Sequence, residues 1–327
     1  MKLTRRSRFQ RAMFTLVSTL LFCSVTFPVT FSQVVNSTQN PSQIAILHWY
    51  AANRTTTFPT GTNPAGMAFD GAALWIANEG TNTVTEIQPS DGKVLGTFTV
   101  GNQPFALAYD GANIWTENFT DNTVTKLRAS TGTVVGTYAV GNRPAGISFD
   151  GANIWVPNNV DNTITKLRAS NGAKLGTFAV GKSPSAVAFD GVNVWVTNAD
   201  SNSVMKLRAS DGKVIGTFAV GANPQGICFD GANMWISAAF GNNVTKLRAS
   251  DGTLLGTFAV GQEPIFVVFD GANIWVANEG SGSVSKLRAS DGVTLGTFPV
   301  GTSPRGVAFD GTNIWVTNSR SNTVSKF

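Results

Sequence analysis

Residues 261–300 read "GQEPIFVVFDGANIWVANEGSGSVSKLRASDGVTLGTFPV". Turn chemistry cuts this stretch into four short strands. "PIFVVFD" runs into the turn "DGA", "NIWVAN" into the loop "EGSG", and "SVSKLR" into "ASDG", before "VTLGTFPV" closes the unit. Asp-Gly and Ser-Asp-Gly supply residues that tolerate the positive φ of tight hairpins, so the unit is expected to be a four-stranded antiparallel meander. Its first two strands are nearly continuous apolar runs, the pattern of strands covered on both faces. The third strand alternates, with Leu287 facing inward between Lys286 and Arg288.

The same unit recurs at a period that never slips. Trp75, Trp115, Trp155, Trp195, Trp235, Trp275 and Trp315 form one column of it, and Asp70, Asp110, Asp150, Asp190, Asp230, Asp270 and Asp310 another. Four-stranded units at this spacing are the signature of propeller blades, with an open solenoid as the competitor. The chain decides between the two. The seventh copy stops at Phe327 after its third strand, whereas "RTTTFPT" at 54–60 aligns with the fourth-strand segment "VLGTFTV" at 94–100. A strand from the beginning of the chain is thus expected to complete the last blade and close the ring. The predicted fold is an all-β, seven-bladed β-propeller over 54–327, preceded by a linker or strap at 33–53.

The phrase "WVANEGSGSVSKLRASDGVTLGTFPVGTSPRGVAFDG" resembles the YVTN-type β-propeller repeat, in which an aromatic-Val-x-Asn strand leads through a Ser/Asn-rich loop to Val-Gly-x-x-Pro. The resemblance covers 54–327. It implies a secreted or surface propeller with a binding role. A more distant similarity is to the streptogramin B lyases, seven-bladed propellers with comparable Pro-x-Gly-Ile-Ala and Gly-x-x-Trp phrases. That similarity implies a blade-borne histidine base and a divalent metal, but here the candidate columns hold Glu, Arg, Asn and Phe.

The formal net charge of +5 comes from the first residues: Lys2, Arg5, Arg6, Arg8 and Arg11 precede the uncharged run "AMFTLVSTLLFCSVTFPVTF" at 12–31, and no Asp or Glu occurs before residue 33. The pair reads as the n-region and h-region of a secretory signal peptide over 1–32, or as an uncleaved N-terminal anchor. "TRRSRF" at 4–9 is similar to a twin-arginine signal with its Phe displaced by one. The remaining chain is balanced in charge and has no basic stripe, which excludes nucleic acid as a partner. The expected location is therefore secreted, periplasmic or cell-surface, with membrane contact only through an uncleaved signal. Of the two cysteines, Cys23 falls in the signal and Cys228 within the strand phrase "GICFD", which leaves no disulfide pair.

Variation among the copies concentrates after the leading Gly, after the Pro, and from the end of the Trp strand into the next loop. In a meander these segments share one face. Around that mouth the sequence places Glu79, Phe105, Glu117, Phe119, Arg143, Asn159, Lys182, Asp200, Gln225, Phe240, Glu263, Ile265, Phe266, Glu279, Arg305 and Arg320 as candidate binding residues. Drift in duplicated loops is the alternative explanation. Glu117 departs furthest from its column of Ala, Pro, Thr and Ser, and reads as a strand-end carboxylate. The Asp column reads as turn caps, and the Lys-Leu-Arg triplets as a solvated rim. The only histidine, His48, precedes the blades, so no catalytic triad and no metal or cofactor site is expected. The expected function is non-catalytic binding by a monomer, the ligand being a protein, peptide, polysaccharide or small molecule. A metal-assisted lyase or hydrolase on the same face is the alternative.

Overall fold

The computed structural model describes residues 56–327; the expected signal and strap, together with His48, lie outside the described residues. Seven four-stranded antiparallel sheets follow one another in chain order. The fourth blade is representative, with strands Pro184–Phe189, Asn193–Asn198, Ser203–Arg208 and Val214–Ala219. The seventh blade has three strands of its own, Pro304–Phe309, Ile314–Asn318 and Thr323–Lys326, and takes Thr56–Pro59 as its fourth. That last pairing is antiparallel, with Thr57 opposite Ser325 and Phe58 opposite Val324. The ring is therefore closed by the strand that the sequence assigns to it.

The core lies between blades. Trp75, Ala77 and Val84 of the first blade pack against Leu107, Ile114 and Leu127 of the second, and the other interfaces repeat the arrangement. Six of the column tryptophans are fully buried and Trp275 is nearly so. A buried indole removes roughly 150–250 Å² from water, worth about 4–6 kcal/mol at ~25 cal/mol/Å² against an extended unfolded chain. Each indole also meets the fourth-strand aromatic of its own blade, as Trp195 meets Phe218 with centroids 5.4 Å apart. In the seventh blade that partner is Phe58, 5.7 Å from Trp315, so the closing strand brings its own packing residue.

One face of the ring is held by a repeated polar cage. Asp190 Oδ1 accepts the backbone N–H groups of Val192 and Asn193 at 2.9 and 2.6 Å, and its Oδ2 accepts the indole N–H of Trp195 at 2.7 Å. Lys206 lies 5.1 Å from the Trp195 ring centroid, and its ammonium donates to the carbonyls of Ala249 and Ser250 in the next blade at 2.6 and 3.2 Å. Turn capping by the Asp column thus holds, but the solvated reading of the Lys-Leu-Arg triplets is corrected. Lys126, Lys166, Lys206 and Lys246 are buried, and only the Arg of each triplet is exposed. The reason lies outside the triplet itself, because the neighbouring blade's turn roofs the lysine. Burial opposes ionisation of Asp230, Asp270 and Asp310, yet hydrogen bonds from the indole, the Asn side chain and the turn backbone outweigh it and hold these carboxyls below the usual range.

The first strands line the central channel and are consequently only partly buried, unlike the fully buried second strands. Their approach is close. A Cβ on Gly66 would lie 2.6 Å from the carbonyl oxygen of Phe105, so the close approach of the second blade leaves no room for a side chain at residue 66. Blade to blade the equivalent position holds Gly66, Ala106, Gly146, Ala186, Gly226, Phe266 and Gly306. Phe266 is the one bulky member of the ring.

Candidate functional site at the variable mouth

Two variable segments meet at the opposite face because the backbone stitches them together. The residue after each second strand donates its N–H to the residue before each column Pro, as Glu79 does to Asn63, Phe119 to Gln103 and Glu279 to Glu263. Those acceptor residues, Arg143 and Glu263 among them, adopt left-handed φ values near 50°. The strain is held by the preceding blade. Asn122 Oδ1 accepts the N–H of Arg143 at 2.8 Å, and Asn242 Oδ1 that of Glu263 at 2.9 Å.

These loops surround a cavity of about 390 Å³. Nine candidate residues line it: Glu79, Phe105, Phe119, Asn159, Gln225, Ile265, Phe266, Glu279 and Arg305. Phe266 also lines a smaller cavity of about 150 Å³ within the channel, so its ring borders both spaces. It packs against the second- and third-blade core across the channel and lies 5.6 Å from Phe105, centroid to centroid. The pit is therefore partly aromatic.

Its polar side is an ion-pair bridge across three blades. Arg305 donates from Nε to Glu279 Oε1 and from Nη1 to Glu79 Oε2, both at 3.0 Å, and Asn63 donates to the same Glu79 oxygen at 2.7 Å. With side-chain exposures of 18–25%, the bridge is only partly screened by water. Burial pushes the Glu79 carboxyl up; Arg305 counters this, and Glu279 adds to it. Two carboxylates on one guanidinium leave the cluster one charge negative.

Sequence reasoning missed Gln103, Ala145, Ser185 and Ala199 in this lining. Ala145 and Ser185 follow their column prolines, as Phe105 and Arg305 do, so the signal was present but their small size concealed it. Other candidates stand apart from the cavity. Arg143 lies over Phe119 at 5.5 Å and borders an adjoining groove. Asp200 accepts from Ser183 Oγ at 2.5 Å, Phe240 is exposed, Lys182 and Glu263 are exposed on loops, and Arg320 is exposed on the short 3-10 helix Ser319–Ser321.

Glu117 is corrected outright. It is fully buried in the seam between the second and third blades and takes no part in the mouth. Its Oε1 accepts the N–H groups of Ala106 and Gly146 at 2.8 and 2.9 Å, while Oε2 has no hydrogen-bond partner. Strand alternation turns the penultimate residue of Asn113–Asn118 toward the neighbouring blade, where Thr317 and Ser237 place shorter hydroxyls. The longer carboxyl coincides with a broken strand. The third blade's first strand shrinks to Ser148–Phe149, with Gly146 at φ 100°. Burial raises the Glu117 pKa to about 8, against the lowering effect of the backbone donors.

Among the described residues no three His, Cys, Asp or Glu side chains converge as a metal-ligand group, and no helix is long and apolar enough to cross a membrane.

No family model matches the chain, and no curated protein matches it. Solved structures do match in shape. Hydrazine synthase from Kuenenia stuttgartiensis superimposes with a TM-score of 0.73 at 20% identity, covering 81% of this chain and 95% of that one. Virginiamycin B lyase from Staphylococcus aureus gives a TM-score of 0.72 at 20% identity, covering 84% and 98%. A streptogramin B lyase gives 0.71 at 19%, covering 84% and 96%. With the blade count and the strand order, these matches define the class as a seven-bladed β-propeller. At such identities the likeness is one of fold alone.

Proposed function

We propose that this chain is an exported, non-catalytic binding propeller whose ligand enters the pit at the variable mouth. The observation that carries the reading is the Arg305 bridge to Glu79 and Glu279 facing the Phe105–Phe266 pair. It sets a negative polar wall against an apolar one within about 390 Å³, the size of a small-molecule pocket. That wall favours a compact ligand with an apolar ring and a positive or hydrogen-bond-donating group, including such a group on a peptide or saccharide. The YVTN-type resemblance of the blades and the signal-like residues 1–32 support a role outside the cytoplasm, and the absence of a histidine after His48 weighs against lyase chemistry of the streptogramin B type.

The test is a calorimetric screen of the purified chain against small amines, peptides and envelope polysaccharides, repeated on E79A/R305A. Binding by the parent and its loss in the variant is the expected result. Ring-opening of a streptogramin B by the parent, with or without a divalent metal, would replace binding by catalysis as the function.

A further inference from the structure

Four first strands carry glycine at the same channel position, and one of the four is bent. Gly66, Gly226 and Gly306 have no positive φ, whereas Gly146 stands at φ 100°. What differs is the side chain offered by the blade before: Thr317, Thr197 and Ala277 for the first three, Glu117 for Gly146. Where this column holds a hydroxyl, its bonding follows one pattern. Thr317 Oγ1 accepts the N–H of Gly306 in its own blade at 2.7 Å and donates to the Ala65 carbonyl of the next at 2.6 Å. Ser237 Oγ likewise accepts from Gly226 and donates to the Ile265 carbonyl.

Glu117 keeps the first half of that pattern and inverts the second. Its Oε1 accepts from Ala106 in its own blade, but from the next blade it takes the N–H of Gly146 where the hydroxyls meet a carbonyl. A planar trans peptide points its N–H and C=O to opposite sides, so the Ala145–Gly146 peptide is turned over relative to its counterparts. The sheet loses a pair in consequence. Met67 faces Ile76 and Val307 faces Val316, but the third blade pairs only Pro144, Ser148 and Phe149, leaving Ile147 without Val156.

An ionised carboxylate only accepts, and so calls for the turned peptide; a protonated one carries an O–H that must be given to something. In the turned geometry that hydrogen would have no acceptor, since Oε2 has no partner in a fully buried seam. No other charge competes for the group. Strands Pro104–Tyr109 and Asn153–Asn158 and residues 144–149 contain no acidic or basic residue, and Lys126 is engaged on the constant face by Ala169 and Asp110. Glu79 acts on Glu117 from the mouth and, like burial, opposes its ionisation.

We propose that Glu117 is a proton-operated latch on the Ala145–Gly146 peptide: ionised, it holds the peptide turned over, and protonated, it donates from Oε2 to the Ala145 carbonyl and lets the third blade regain its full first strand. The proton is exchanged with solvent. Because Ala145 lines the pit, the latch reshapes the third-blade wall of the mouth, whatever ligand the mouth takes.

The test follows the Ala145 carbonyl carbon and the residue 146 amide nitrogen by heteronuclear NMR as pH is raised through 8, the value to which burial lifts Glu117. Wild type is expected to show both signals moving together with a midpoint near 8. E117Q should hold them at their low-pH positions, because its amide accepts and donates at every pH. G146A separates a latch from a titration that leaves the peptide in place. Alanine fits this column in ordinary strand form, as Ala106 and Ala186 do, but resists positive φ, so the G146A midpoint should rise by about one pH unit or more. Signals that stay in place in wild type, that still move in E117Q, or that move in G146A at the wild-type midpoint overturn the proposal.

Discussion

The two faces of the ring are cut from the same repeat, yet they treat charge in opposite ways. On the constant face, Asp190, Trp195 and Lys206 consume one another's donors and acceptors and pass the surplus ammonium to the next blade. At the mouth, Arg305 is shared by two carboxylates from different blades, and the net charge is left facing a cavity. Polar groups that satisfy each other locally stabilise an interface. Polar groups gathered from several blades around open space are available to something else. The difference teaches that the repeat encodes its scaffold in columns that stay constant, and leaves its variation to positions that meet only once seven copies are bent into a circle.

The largest expected effect tests the scaffold side. W195A removes a fully buried ring between the fourth and fifth blades and should lower unfolding free energy by about 3–5 kcal/mol in a denaturant titration, while the affinity of the folded fraction for any mouth ligand stays unchanged. D190A should cost less, about 1–3 kcal/mol, because it strands the Trp195 indole N–H and two backbone donors without emptying the core. A loss near zero would show that water replaces the carboxylate and that the cage is only a surface turn.

Glu117 sharpens the comparison from the seam. Its folded pKa of about 8 exceeds the 4.5 usual for a free glutamate, so folding retains a proton that the unfolded chain releases between those values. The stability associated with this proton is fully present below pH 4.5 and is lost as pH rises towards 8. Thermal melts of wild type and E117Q across that range should diverge upward in pH, E117Q being the more stable above 8. Parallel curves would mean that the carboxyl is ionised in place.

The smallest stability change belongs to the mouth. E79A/R305A should shift unfolding by no more than about 1 kcal/mol, as expected for partly exposed ion pairs. A collapse of the fold in that variant would erase the distinction between the two faces.

Much of the fold was legible because its determinants are local. Asp-Gly turns, the forty-residue column of Trp and the orphan strand phrase at 54–60 each have one physical reading, and together they close the ring. The mouth was legible in part, since the loops that vary are the loops that converge. Glu117 was misplaced because a strand-end residue faces either the cavity or the next blade, and one residue of alternation decides which. The lysine column was misread for a related reason. The alternation in "SVSKLR" shows Leu287 pointing inward, but not that a neighbouring turn covers the lysine. Contacts between copies leave no trace within a single copy.

The pairing of Thr56–Pro59 with Thr323–Lys326 has a consequence in time. A ribosome releases the closing strand first and its partner last, so blades one to six can form while the closing strand still waits for the seventh blade's own three strands. Until then the nascent ring is an open arc with hydrophobic flanks, at the mercy of chaperones and of other copies. Contact between the most distant parts of the described chain completes the molecule, and such contacts are slow to form. A circular permutant that begins in a fourth-to-first strand loop at the mouth, so that the 56–59 strand follows its partner in the sequence and every blade is contiguous, should therefore refold faster than the natural order, though it reaches the same final ring.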